Sequence, residues 1–120
     1  MISICIPAYK RIDYLKRLLL SIEHQSYKDF EVIVSDDSDD DSVLDLVNVF
    51  KSKYSIQYYS NRPSLGTPAN WNAAISKAKG DWIKLMHDDD WFSTNYSLQN
   101  FADAVLKGPK FIYSSYSNFI

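Results

Sequence analysis

Three consecutive aspartates, Asp88, Asp89 and Asp90, are the residues of this sequence best suited to bind a divalent cation. Two carboxylates about 4 Å apart repel each other by on the order of 4 kcal/mol at an effective dielectric constant near 20. A cation, hydrogen bonds or full solvation must offset that repulsion. Mg²⁺ and Mn²⁺ take one or two carboxylate ligands and complete their coordination with water and phosphate oxygens. A solvated turn in which Asp90 caps a helix is the structural alternative.

A second acidic run extends from Asp36 to Asp41, and five of its six residues are aspartate. Asp36 and Asp37 directly follow an apolar segment. We therefore expect one of these two carboxylates to enter a crevice and accept a hydrogen bond from a base N–H or a ribose hydroxyl. The remainder of the run is interpreted as a solvated turn that ends in a helix cap, with Asp41 or Ser42 as the capping residue.

Other common kinds of site find little support. His24 and His87 are isolated, which argues against zinc. The chain has three glycines and lacks the glycine-rich patterns of dinucleotide and P-loop sites, and it has no G-x-S-x-G elbow. The single cysteine, Cys5, lies in an apolar run, so we expect it to be buried in a protein of a reducing compartment.

The residues that could bind a metal or a ligand lie between predicted strands and helices that alternate along the chain. Strands are predicted at Met1–Pro7, Phe30–Ser35, Ser55–Ser60, Asp81–Met86 and Lys110–Ser114. Helices are predicted over Arg11–Gln25, from Asp41 or Ser42 to Phe50, from Trp71 to a C-cap at Gly80, and from Leu98 to Gly108. This alternation predicts an α/β fold, a three-layer α/β/α Rossmann-like arrangement around a mostly parallel sheet. Ligands of such sheets bind beyond the carboxyl ends of the strands, so both acidic runs and the segment Ala8–Arg11 should meet in one crevice.

Length and charge narrow the classes of protein. A chain of 120 residues suits a single domain, and a net charge of −2 argues against nucleic acid as a partner. The sequence contains neither a targeting segment nor an apolar stretch approaching the roughly 20 residues that span a bilayer. We expect a soluble, cytoplasmic protein.

Four segments in order resemble the family 2 glycosyltransferases, which have the GT-A fold. They are Ser3–Arg11 (SICIPAYKR), Glu31–Ser38 (EVIVSDDS), the stretch from Gly66 through Asn72 to Ile83, and Leu85–Asp90 (LMHDDD). The resemblance covers nearly the whole chain and implies an inverting glycosyltransferase. Such an enzyme uses Mg²⁺ or Mn²⁺ to move a sugar from a nucleotide-diphosphate donor, here expected to be a UDP-sugar, to a hydroxyl of a glycan or lipid-linked acceptor. It would act in the cytoplasm, peripherally at the inner membrane face.

The same resemblance implies roles for individual residues. Asp37, or Asp36, would hydrogen-bond the base, and Asp90 would bind the metal while Asp89 contacts the ribose. His87 stands where many members carry the first aspartate, so Asp88 and Asp90 form an alternative D-x-D pair on the metal. The implied nucleotide-binding residues are Pro7, Ala8, Tyr9, Asp36, Asp37, Arg62, Asn72, Asp88 and Asp89.

The resemblance places the general base of the reaction well beyond position 120, in longer catalytic domains than this chain. We therefore expect residues 1–120 to form the nucleotide-sugar-binding portion of a GT-A domain, truncated before the acceptor-binding region, without a catalytic residue and inactive alone. Lys10 and Arg11 could neutralise phosphate or could form a solvated helix start.

Three alternatives remain open at this stage. A sugar-1-phosphate nucleotidyltransferase shares the topology but normally has a glycine-rich loop after strand one, and Pro7–Arg11 contains no glycine. A receiver-type signalling domain expects an aspartate at the end of strand three, and Tyr58–Asn61 offers none. A catalytically incomplete nucleotide-binding module fits a chain of this length.

Overall fold

The computed structural model describes residues 1–109 and residue 112. Strands and helices alternate in it as predicted: β1 (Ile2–Ala8), α1 (Ile12–Glu23), β2 (Phe30–Asp36), α2 (Ser42–Phe50), β3 (Ile56–Ser60), α3 (Ala69–Ser76), β4 (Trp82–Leu85) and α4 (Ser97–Val105). The predicted strand Lys110–Ser114 lies outside the described residues, apart from Ile112, which lines a groove beside β4. Within the described part of the chain, no helix combines the length and the apolar character needed to cross a membrane.

The four strands form a parallel sheet in the order β3-β2-β1-β4. β1 therefore lies in the middle, with β2 on one side and β4 on the other. Ala8 pairs with Asp36 of β2, and Cys5 pairs with Leu85 of β4. Continuing the second register by three residues brings Asp88 level with Ala8. The segments that follow β1, β2 and β4 consequently leave the sheet at the same end, where the carboxyl ends of the strands lie.

Alternate side chains of β1 belong to different cores on the two faces of the sheet. Ile2, Ile4 and Ile6 pack with residues of α1, α2 and α4, whereas Cys5 packs against α3 and β2 through Ala74 and Ile33. This is the two-residue period expected of a strand buried on both faces. The three-layer α/β/α prediction is confirmed. Cys5 is fully buried as predicted, and burial, together with the nearby charge of Glu31, raises the pKa of its thiol to about 12.

Two local predictions are wrong. α3 ends at Ser76, with Lys77 in the right-handed helical region as its C-cap, so Gly80 does not cap it. Gly80 instead lies against the start of β1, where an added Cβ would come within 2.7 Å of the Met1 carbonyl oxygen. The second error concerns α2, because Asp41 occupies the N-cap position without a side-chain cap bond. Asp40 replaces it: its Oδ1 accepts hydrogen bonds from the backbone N–H and the hydroxyl of Ser42.

Candidate functional site

A single peptide group at the end of β1 links the two acidic runs. The carbonyl oxygen of Ala8 accepts a hydrogen bond from the backbone N–H of Asp37 at 3.0 Å. The N–H of Tyr9 donates to Oδ2 of Asp88 at 3.2 Å. The C=O and N–H of a trans peptide point in opposite directions, so Asp37 approaches from the β2 side and Asp88 from the β4 side. The structure thus brings together the residues that the sequence predicted to meet.

Among Pro7, Ala8 and Tyr9, three of the implied nucleotide-binding residues, Tyr9 alone is exposed. Pro7 and Ala8 are buried within β1, whereas 52% of Tyr9 is accessible. The Nζ atom of Lys10 lies 5.2 Å from the centroid of the Tyr9 ring. Pro7 and Ala8 therefore form the floor of the site, and the Tyr9 ring is the surface on which a flat base could stack.

Asp36 is turned into the protein. It is fully buried, and its Oδ2 accepts a hydrogen bond from the Tyr58 hydroxyl at 2.6 Å while its Oδ1 accepts from the Ser38 N–H at 2.8 Å. Burial, and then this hydrogen bond to Asp36, raises the pKa of Tyr58 to about 12. The contacts of Asp36 thus stabilise the turn after β2, and of the two neighbouring aspartates Asp37 is the better placed to meet a ligand.

Asp37 organises the loop that follows β3. Its Oδ1 accepts hydrogen bonds from the Asn61 side chain and the Leu65 N–H, both at 3.0 Å, and its Oδ2 accepts from the Gly66 N–H at 2.9 Å. Gly66 adopts a φ of 75°, which glycine permits without strain. A carboxylate has about four acceptor positions, so the described residues fill three of those of Asp37 and leave one on Oδ2, although only 6% of the residue is exposed.

Asn70 is a site residue that the sequence analysis missed. It is buried, its Oδ1 accepts from the Asn61 side chain at 3.0 Å, and its Nδ2 donates to the Ala8 carbonyl at 3.4 Å. Asn72, the predicted residue, is exposed. Residues two positions apart on a helix face different ways, whereas Asn70 shares its face with Ala74, which packs on the sheet. That spacing of four was the signal available in the sequence.

Arg62 is exposed and directed toward the start of α2. Its Nη2 lies 2.7 Å from Oδ1 of Asp41 and donates to the Asp40 carbonyl at 2.9 Å. The hydrogen bond to Asp41 raises the pKa of the guanidinium. The structure therefore does not bring Arg62 to the acidic loop, which we define as residues 88–90.

The three aspartates of the acidic loop have different environments. Asp88 is buried, and its Oδ1 lies 3.0 Å from Nη2 of Arg11. Burial raises the pKa of the Asp88 carboxyl, and the Tyr9 N–H and the Arg11 guanidinium oppose that rise. Asp89 is exposed and lies 3.4 Å from Nη1 of the same arginine. Asp90 is exposed as well, and its Oδ2 accepts from the His87 N–H at 2.9 Å, which closes the turn.

α1 supports the chain that leaves the acidic loop. Ser21 lies in the last turn of α1, and Gln25 directly follows the C-cap residue His24. The Ser21 hydroxyl accepts from the Phe92 N–H at 3.2 Å. The buried Gln25 side chain donates to the Thr94 carbonyl at 2.7 Å and accepts from the Leu98 N–H at 2.9 Å. These bonds attach one end of the segment 92–98 to α1 and the other end to the residue that follows its C-cap.

Arg17 lies one helical turn before Ser21 on the same face of α1. Its guanidinium carbon lies 3.6 Å from the centroid of the Trp91 ring, a cation–π distance. Its Nη2 also donates to the Asp89 carbonyl at 3.5 Å. Arg17 and Ser21 of α1, together with Gln25 just beyond its C-terminal end, form the polar stripe of α1, which positions the acidic loop. The sequence analysis did not identify this stripe.

The chemistry of the acidic loop fits a divalent cation shared with a ligand. Among the described residues, no group of three or more His, Cys, Asp or Glu side chains is arranged to hold a metal ion alone. Mg²⁺ and Mn²⁺ do not need such a group, because they commonly bind one or two carboxylates together with substrate phosphates. The three neighbouring carboxylates, two of which pair with Arg11, would repel a diphosphate wherever their charge is not offset. A divalent cation on Asp90, with Asp88 or Asp89, would offset that repulsion.

Comparison with known proteins agrees with the fold. The sequence profile of the family described as Glycosyl transferase family 2 matches residues 3–120. An abequosyltransferase of Salmonella typhimurium is 36% identical over 94 residues, which cover 75% of this chain and 28% of the relative. The GalNAc(5)-diNAcBac-PP-undecaprenol beta-1,3-glucosyltransferase of Campylobacter jejuni is 33% identical over 91 residues, which cover 74% of this chain and 29% of the relative.

A solved structure shows the same fold. The crystal structure of S. aureus TarS in complex with UDP-GlcNAc superposes with a TM-score of 0.81 and 26% identity. The match covers 88% of this chain and 31% of the TarS chain. The chain thus spans under a third of the length of each of these three proteins. The GT-A arrangement expected from the resemblance is confirmed by this likeness.

Proposed function

Because this chain belongs to glycosyl transferase family 2, we propose that it binds a nucleotide-diphosphate sugar across the carboxyl end of β1, in a protein that transfers the sugar to an acceptor hydroxyl. One observation carries the proposal: Asp37 and Asp88, from separate acidic runs, meet on the Ala8–Tyr9 peptide. That peptide lies where ligands of parallel α/β sheets bind.

The two sides of this peptide suit different parts of the donor. On the β2 side, the exposed Tyr9 ring offers a stacking surface, and Asp37 with the loop it orders supplies acceptors for a base N–H. On the β4 side, the acidic loop suits the ribose and the diphosphate. We assign Asp89 to the ribose hydroxyls and the exposed Asp90 to a divalent metal, with Asp88 as the second carboxylate.

When bound, Mg²⁺ or Mn²⁺ would supply a Lewis acid for the negative charge of the leaving diphosphate. The residues of the chain orient the donor around it. The turn closed by the His87 N–H holds the Asp90 carboxylate, and the polar stripe of α1 holds the backbone that follows. We propose transfer with inversion, in which a general base deprotonates the acceptor hydroxyl. We assign that base to the protein beyond residue 120.

The identity of the substrates is inferred from relatives. The TarS structure contains UDP-GlcNAc, and the Campylobacter relative is named for an undecaprenol-diphosphate acceptor. We propose a UDP-sugar as the donor and a glycan or lipid-linked hydroxyl as the acceptor. A lipid-linked acceptor would locate the protein in the cytoplasm, peripherally at the inner membrane face.

A thermal-unfolding screen of nucleotide sugars tests this proposal. We expect UDP-sugars with Mn²⁺ to raise the unfolding temperature, because a ligand that binds only the folded state stabilises it. Tyr9→Ala should reduce the shift, whereas Tyr9→Phe, which keeps the exposed aromatic ring, should preserve it. The absence of any shift with UDP-, GDP- and CDP-sugars would refute the proposal.

A further inference from the structure

We propose that Arg11 is a built-in cation that occupies the acidic loop before the metal arrives and moves to the diphosphate when the metal displaces it. This inference rests on the proposed function, since it concerns the same metal and nucleotide. It gives Arg11 a positioning role that the family match does not assign. Arg11 would then lower the affinity for free metal and raise the affinity for the metal–nucleotide pair.

The contacts of Arg11 carry the first step. Its two terminal nitrogens bridge two carboxylates, with Nη2 at 3.0 Å from Asp88 and Nη1 at 3.4 Å from Asp89. A guanidinium presents its donors as a rigid fork that matches either a carboxylate or a phosphate. Asp88 is also the second carboxylate that we assign to the metal, so a divalent cation must compete with this fork for Asp88.

Three other nearby cations have different partners among the described residues. The Nζ atom of Lys84 lies 4.7 Å from the centroid of the Phe101 ring, and its charge interacts with Asp90. Lys10 pairs with Asp39 at 3.6 Å, and its Nζ lies over the Tyr9 ring. The guanidinium of Arg17 stacks on Trp91 and reaches only the backbone carbonyl of Asp89. In the part of the chain that the structure describes, Arg11 is thus the side-chain cation paired with both Asp88 and Asp89.

The backbone at Arg11 is anchored while its side chain is accessible. Lys10 and Arg11 both have left-handed φ values, of 57° and 33°. The Lys10 N–H donates to the Ser38 hydroxyl at 2.7 Å, and the Arg11 carbonyl accepts from the Leu15 N–H in the first turn of α1. Roughly half of the Arg11 side chain is exposed, at 52%. The guanidinium can therefore rotate out of the acidic loop without any movement of the backbone.

The proposal predicts opposite changes in two affinities, which a merely structural role would not produce. Arg11→Gln removes the competitor, so Mn²⁺ alone should bind about two- to fivefold more tightly, the range expected for losing a partly exposed ion pair. The same substitution removes a phosphate ligand, so UDP in the presence of Mn²⁺ should bind about three- to tenfold more weakly. A loss of folding would weaken both.

The experiment titrates Mn²⁺ alone by the electron paramagnetic resonance of the free ion, and then UDP at saturating Mn²⁺ by calorimetry. Arg11→Lys, which keeps the charge but loses the fork, should fall between the wild type and Arg11→Gln. Lys16→Gln makes the same change in net charge on the exposed face of α1 and should change neither affinity. Unchanged Mn²⁺ affinity in Arg11→Gln, with UDP still bound by the wild type, would overturn the role of Arg11 alone. Failure of the wild type to bind UDP with Mn²⁺ would overturn the proposed function as well.

Discussion

Asp37 and Asp88 are joined through the two ends of one peptide group, because the Asp37 N–H donates to the carbonyl of Ala8 and the Asp88 carboxylate accepts the N–H of Tyr9. Residues 51 positions apart in the sequence are thereby held at the end of the central strand. Because both acidic runs bond to the same peptide group, the end of β1 fixes the positions of the two halves of the proposed donor site relative to each other. We expect substitutions of the residues that hold this arrangement in place to have the following effects.

Asp37→Ala should loosen the loop 61–66 and destabilise the fold. The substitution removes the acceptor of three hydrogen bonds, from the Asn61 side chain and from the Leu65 and Gly66 N–H groups. Leaving buried or partly buried donors without a partner costs about 1–3 kcal/mol. Urea unfolding measures the loss, and hydrogen exchange should accelerate at the Leu65 and Gly66 amides. Asp39→Ala, which removes an exposed ion pair, should cost under about 1 kcal/mol, and equal losses in the two variants would contradict the assignment.

Gln25→Leu should destabilise the segment 92–98 and, through it, the acidic loop. The side-chain amide of Gln25 bonds to Thr94 and Leu98 and is almost fully buried. Leucine would leave these two backbone groups without a hydrogen-bond partner, at a cost of about 2–4 kcal/mol. The matched control is Gln99→Leu, which breaks one exposed bond to Asp103 and should cost less than about 0.5 kcal/mol. Comparable unfolding free energies for both variants would show that the polar stripe of α1 does not support this segment.

Gly80→Ala should be destabilising even though the backbone of Gly80 does not need a positive φ. The new methyl group would lie 2.7 Å from the Met1 carbonyl and the Ser3 hydroxyl, and 2.9 Å from the Ser3 nitrogen. Relief of such overpacking typically costs about 1–3 kcal/mol. Lys79→Ala alters the neighbouring, exposed side chain and keeps the backbone bond to Glu31, so its stability should stay within about 0.5 kcal/mol of the wild type. Thermal unfolding separates the two, and a wild-type melting temperature for Gly80→Ala would contradict the close approach.

Tyr58 should make the protein lose stability at alkaline pH. Its pKa is raised from 10.0 to about 12 in the folded protein, mainly by burial. The unfolded chain therefore releases the tyrosine proton first as the pH rises. The contribution of protonated Tyr58 to the free energy of unfolding is complete below pH 10.0 and is lost between pH 10.0 and about 12. Tyr58→Phe lacks this part of the pH dependence, and groups common to both proteins cancel in the difference. If the curves of unfolding free energy against pH run parallel for the wild type and Tyr58→Phe, they would contradict the raised pKa of Tyr58.

The layers of the fold follow from local patterns, because runs such as FEVIVS and the apolar face of α1 identify their own elements. The position of a residue within such a pattern also indicates which of two neighbouring site residues belongs to the buried face of its element. Val32, Val34 and Asp36 share one face of β2, so Asp36 continues the buried face and Asp37 is left for the crevice. The spacing of Asn70 from Ala74 carries the same kind of information for α3. The family match favours the glycosyltransferase interpretation over the nucleotidyltransferase alternative.

Other features depend on contacts between distant segments and have no local signal. Gln25 is polar and lies just beyond the end of an amphipathic helix, so its burial arises only because residues 94–98 pack over it. Gly80 is required by the approach of β4 to the first residues of β1, not by the helix before it. The alternation of strands and helices predicted that Ala8–Arg11 would meet the acidic runs, but not that Arg11, rather than Lys10, would pair with Asp88. Such long-range approaches cannot be read from the spacing of residues along the chain.

Calorimetric titration of UDP, with and without Mn²⁺, tests most directly whether the acidic loop couples a metal to a diphosphate. We expect Mn²⁺ to tighten UDP binding by about tenfold or more, equivalent to about 1.4 kcal/mol. Asp90→Asn should abolish that gain, while Asp45→Asn, which removes an exposed carboxylate of α2, should retain it. UDP binding that is indifferent to Mn²⁺ and unchanged in Asp90→Asn would contradict the account.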